Sequence, residues 1–122
     1  MKSKELMERI VKVLDSHKAA KICAIQIKEV SSLADYFVVA GGNSSTQVKA
    51  LTDYVDVALS EAGVTPLRTE GYGSANWILM DYGAVILHVF QPQARQYYDL
   101  ERLWKDGTPV DLSGIIESEA QL

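Results

Sequence analysis

Gly41-Gly42-Asn43-Ser44-Ser45 joins an apolar run, Tyr36 to Ala40, to a stretch with helical periodicity. Backbone amides and a helix N-terminus in that geometry can cradle a phosphate. The spacing lacks the Gly-x-Gly-x-x-Gly pattern and the Lys-Ser or Lys-Thr of a P-loop, so turn formation and capping are the simpler reading. Nucleotidyl transfer would also need two carboxylates one residue apart on the next strand, because a catalytic magnesium takes paired oxygen ligands. That strand reads Leu67-Arg68-Thr69-Glu70 and offers one carboxylate, while Asp53 and Asp56 fall on the intervening helix. The other reactive side chains are isolated. His17 and His88 have no Cys or second His at ligand spacing, which suits structural histidines. Cys23 sits in an apolar strand context, which suits an inert thiol. No catalytic pair, metal site or cofactor site is legible.

The richest chemistry lies in the stretch Glu70 to Pro92. Two apolar runs, Trp77 to Met80 and Ala84 to Phe90, flank Asp81-Tyr82-Gly83, and this pattern predicts a β-hairpin with Gly83 in the turn. With Tyr82 and Gly83 as the loop, Asp81 faces Ala84, Leu79 faces Ile86 and Trp77 faces His88. Ile78, Met80, Val85, Leu87 and Val89 then make an aliphatic face for a covering helix. Trp77, Leu79, Asp81, Ile86, His88 and Phe90 make a mixed face suited to recognition.

The elements that position this hairpin follow in order. Leu6, Ile10, Val13 and Leu14 predict an amphipathic helix from about Lys4 to His17, with Ser3 as its N-cap. Lys21 to Val30 and Tyr36 to Ala40 read as neighbouring strands. Ser44 and Gln47 form a capping box for a second helix, whose stripe of Val48, Leu51, Val55, Ala58, Leu59 and Ala62 ends at Gly63. Pro66 confines the next strand, within Val64 to Glu70, to a sheet edge. Pro92 opens a last helix carrying Ala94, Tyr97, Leu100 and Leu103 or Trp104 on one side. Gly107, Pro109 and Gly114 break every later pattern. The expectation is one α/β domain over residues 1–105, with a five-stranded mixed sheet and flanking helices, followed by a flexible tail, 106–122.

Composition narrows the function. A chain of 122 residues with net charge -4 and pI near 5.1 is poorly suited to DNA or RNA as its main partner and better suited to a basic protein. One cysteine excludes an internal disulfide. The chain shows neither a signal peptide nor an apolar run long enough to span a bilayer, so the expectation is a cytoplasmic protein. A small sheet rich in apolar and aromatic residues, with three helices to cover it, leads to an expected homodimer.

Several motifs together resemble the ribosomal silencing factor family, also called Iojap-like. They are Asp35-Tyr36-Phe37-Val38-Val39, Gly42 to Ala50, Glu70-Gly71, Trp77 to Gly83, His88-Val89-Phe90 and Arg95 to Trp104. Gly41 replaces the more usual Thr or Ala, and Ala84 stands where the family often has Asp. The resemblance implies a nucleotidyltransferase-like fold without the catalytic carboxylates. It also implies a non-enzymatic factor that binds large-subunit ribosomal protein fourteen and blocks joining of the small subunit when nutrients are scarce. The alternative is an enzyme that uses nucleotide at Gly41 to Ser45. Interface hot spots favour aromatic anchors, and a carboxylate suits a basic partner. The expected partner-binding residues are therefore Trp77, Leu79, Asp81, Tyr82 and His88, with Tyr98 at the margin. The blander reading makes Trp77 core and Asp81 a turn residue.

Overall fold

The computed structural model describes residues 1–94 and 105–116. Its elements are α1 (Ser3–Ser16), β1 (Ala20–Gln26), β2 (Tyr36–Gly41), α2 (Ser45–Glu61), β3 (Arg68–Glu70), β4 (Trp77–Asp81), β5 (Val85–Phe90) and β6 (Thr108–Pro109). The strands form one mixed sheet in the order β3-β4-β5-β2-β1-β6. Among the described strands, β2 and β5 are the one neighbouring pair that runs parallel. Every residue of these two strands is buried, as nearly continuous apolar runs at the centre of a sheet require; His88 is the polar exception in β5.

Both helices lie on one face. Leu6, Met7, Ile10, Val11 and Leu14 of α1 and Val48, Leu51, Val55 and Leu59 of α2 share a core cluster with Val38, Ile78, Met80, Leu87 and Val89 of the sheet. Ser44 caps α2 as its pattern predicts: its Oγ accepts the Gln47 N–H at 3.1 Å, and Gln47 Oε1 accepts the Asn43 N–H at 2.6 Å. At the other end Gly63 adopts φ +82°, and the Val64 and Gly63 amides donate to the Leu59 and Ser60 carbonyls, satisfying backbone oxygens that the helix leaves open. By contrast, α1 starts at Ser3 itself with no side-chain cap.

Three expectations need correction. The sheet has six strands among the described residues, because Thr108 and Pro109 pair with Gln26 and Ile25. Part of the expected tail is thereby built into the fold: the Val110 N–H donates to the Ala24 carbonyl, and Leu112 is buried in the core. Residues 117–122 of that segment, and the last predicted helix beyond its opening turn at Pro92 to Ala94, lie outside the described residues. Strand β1 ends at Gln26 rather than Val30.

The hairpin register is also shifted. Asp81 pairs with Ile86, Leu79 with His88 and Trp77 with Phe90, so the two loop residues are Gly83 and Ala84. The Tyr82 N–H donates to the Val85 carbonyl across this loop. Asp81 selects it, since its Oδ1 accepts the Gly83 N–H at 2.8 Å while Gly83 takes φ +83°. The slip is an even number of residues, so both expected faces survive.

Candidate functional site

The sheet face away from α1 and α2 carries two apolar clusters. Ile25, Ile27, Ala34, Phe37 and Ile86 form one, with Leu79 packed against it. Val39 and Phe90 form the other, against which Cys23, Trp77 and Ala94 pack. Ala94 belongs to the turn after β5, so the chain comes back onto this face there. The centre of the face is closed: Phe37, Val39, Ile86, His88 and Phe90 are all buried. Trp77, Leu79 and Asp81, alternate residues of β4, are half-buried at its margin.

Phe90 and His88 fix Trp77. Its indole stacks on Phe90 at 5.1 Å between ring centroids, lies 5.8 Å from the His88 ring, and donates its Nε1–H to His88 Nδ1 at 3.0 Å. The last contact runs diagonally between strands, because Leu79 is the residue directly opposite His88. A ring whose Nδ1 accepts a hydrogen bond is neutral and carries its proton on Nε2. Burial lowers the His88 pKa to about 4, which keeps it so. Phe37 meets the same imidazole edge-on at 5.3 Å. His88 is therefore a buried prop for Trp77 rather than a surface that a partner touches.

Asp81 does two structural tasks. One oxygen closes the turn through Gly83, and the other lies 3.4 Å from Arg68 Nε on the neighbouring strand. Arg68 also contacts Glu70 at 3.1 Å, so β3 presents an exposed charged edge. The Asp81–Arg68 pair was missed in the sequence, although an edge strand beside Asp81 could have suggested it. Tyr82 is corrected: it is buried and belongs to the helix-side core. Its hydroxyl has no hydrogen-bond partner among the described residues, and burial, with the nearby Asp56 charge, pushes its pKa up. Tyr98 lies outside the described residues.

Gly41 to Ser45 is occupied with its own structure. The Gly42 N–H donates to the Phe90 carbonyl, and the Asn43 and Gln47 amides go to the capping pair. A Cβ at Gly42 would approach Val48 Cγ2 at 3.0 Å and the Val48 nitrogen at 3.2 Å, so close helix packing accounts for this glycine. A cleft of about 940 Å³ lies between α1 and α2, bordered by Arg9, Lys12, Tyr54 and Glu61. It contains none of the residues expected to act. No group of three His, Cys, Asp or Glu side chains that could hold a metal occurs among the described residues, and no described helix is long and apolar enough to cross a membrane.

The family described as "Ribosomal silencing factor during starvation" matches residues 1–121. The chain belongs to the ribosomal silencing factor family. A ribosomal silencing factor of Halalkalibacterium halodurans is 40% identical over 116 residues, covering 95% of this chain and 99% of that protein. Among solved structures, a Chromobacterium violaceum protein superposes with a TM-score of 0.84 at 37% identity, covering 96% of this chain and 98% of that one. A mouse protein named for mitochondrial assembly of the ribosomal large subunit is 28% identical over 101 residues, covering 80% of this chain and 44% of its own length. Membership agrees with the resemblance carried by the Gly42 to Ala50 and Trp77 to Gly83 motifs.

Proposed function

We propose that this silencing-factor chain binds the large ribosomal subunit in the cytoplasm and sterically blocks joining of the small subunit, repressing translation when nutrients are scarce. Large-subunit ribosomal protein fourteen is the proposed contact. The observation that carries the reading is the family match over nearly the whole chain. The margin of the sheet face away from α1 and α2 supports its location, because Trp77 and Leu79 are partly exposed apolar groups beside the Asp81 carboxylate. A rigid aromatic anchor beside an acid suits a basic partner. The factor acts by occupying space, with no chemical step and no nucleotide at Gly41 to Ser45. When free it is a homodimer, which light scattering at high micromolar concentration tests; a monomer mass removes that part.

The site is tested with Trp77→Ala and Asp81→Lys, compared with the parent for melting and for binding to isolated large subunits. Folded variants that lose binding support it, with the Asp81→Lys loss greatest at low salt, where repulsion is least screened. A folded Asp81→Lys variant that binds like the parent places the contact elsewhere.

A further inference from the structure

A second feature borders the same face. The connection from β1 to β2 exposes two apolar side chains, Val30 at 55% and Leu33 at 71%. They are held outward by tight turns: the Val30 and Ser31 amides donate to the Ile27 carbonyl at 2.9 and 2.8 Å, and the Leu33 N–H donates to Ser31 Oγ at 3.1 Å. Between them opens a cavity of about 320 Å³ whose lining includes Ile27 and Phe37. Both residues belong to the apolar cluster against which Leu79 packs from β4, so the cavity lies on the same side of the sheet as Leu79, beyond the closed centre of the face.

Its other wall is Asp106-Gly107. A Cβ at Gly107 would lie 2.7 Å from Ile25 Cγ2 and 2.9 Å from the Gln26 carbonyl oxygen. Only glycine lets this segment lie so close to β1, and β6 then pairs with Ile25 and Gln26 immediately afterwards. That approach sets Asp106 in the lining, as its one charged member among the described residues.

We infer that this cavity is a second anchor point for a basic protein of the large subunit. It takes an aliphatic side chain between Val30 and Leu33, while a neighbouring Lys or Arg pairs with Asp106. The inference rests on the proposed large-subunit binding and extends it. Exposed apolar side chains beside a preformed apolar cavity gain on being covered, and the lone carboxylate at the wall selects for positive charge.

The test measures sedimentation with purified large subunits, light scattering and thermal melting for the parent, Trp77→Ala, Asp106→Lys and the double variant Val30→Ser with Leu33→Ser. The substituted cavity residues are exposed, so folding should persist. The double variant should bind at least about tenfold more weakly, and Asp106→Lys should weaken binding most at low salt. Parent-like binding by both cavity variants overturns the inference, and if Trp77→Ala alone loses binding the wider reading survives. A double variant that keeps subunit binding but loses self-association makes the occupant a second copy of the chain, which also overturns it. Absence of binding by the parent removes both.

Discussion

Acid should undo the Trp77–His88 pair before it undoes most of the fold. His88 is buried, its Nδ1 accepts the indole N–H at 3.0 Å, and its pKa is lowered to about 4 from an ordinary 6.5. The unfolded chain therefore takes up this proton at a higher pH than the folded chain. The stabilisation is fully present above about pH 6.5 and is lost as pH falls toward 4. Two and a half pKa units at about 1.4 kcal/mol each correspond to about 3 to 4 kcal/mol, a large share of a small domain's stability. Protonation at Nδ1 would also set two N–H donors against each other. Because carboxylates titrate in the same range, the measurement is a difference: urea unfolding of the parent and of His88→Gln from pH 7 to 4. The variant should be less stable at pH 7, and the gap should close by about 3 kcal/mol as pH falls. A gap independent of pH refutes the assignment of a neutral, buried His88.

Other consequences are local. Ser44→Ala should cost about 1 kcal/mol in urea unfolding through loss of the N-cap, and it should abolish no metal-dependent nucleotide turnover. Tyr82→Phe should leave stability unchanged or raise it by up to about 1 kcal/mol, since it removes a buried hydroxyl without a hydrogen-bond partner among the described residues; a clear loss would point to a hydrogen bond there. Gly71→Ala should be far more damaging than Gly63→Ala in thermal melts. Both sit at φ +82°, but a Cβ on Gly71 would collide with the Trp77 carbonyl oxygen, whereas nothing lies near Gly63. Equal losses would mean that strain at φ alone decides.

Features governed by local chemistry were legible in the sequence. Ser44, Gln47 and Gly63 mark both ends of α2 because capping is decided within a few residues. Alternation assigned Ile78, Met80, Leu87 and Val89 to one face and Trp77, Leu79 and His88 to the other. Register was not legible, because Gly83 supplies positive φ whether it is the second or the first loop residue. The choice came from the Asp81 side chain bonding Gly83. That choice carries Tyr82 to the helix side, where its expected contact role fails. Thr108-Pro109 is too short to show alternation and is flanked by Gly107, so a strand that exists only by pairing with β1 read as a broken tail. The burial at the centre of the mixed face was not legible, because side-chain alternation tells which face a residue occupies and not whether that face is covered.

Whether the protein blocks subunit joining is decided by adding it, purified, to isolated large and small subunits under joining conditions and separating the particles by sedimentation. The protein should travel with the large subunit and not the small one, and joined particles should decrease as it saturates the large subunit. Joining that proceeds unchanged at saturation, or protein that stays at the top of the gradient, contradicts the proposed block.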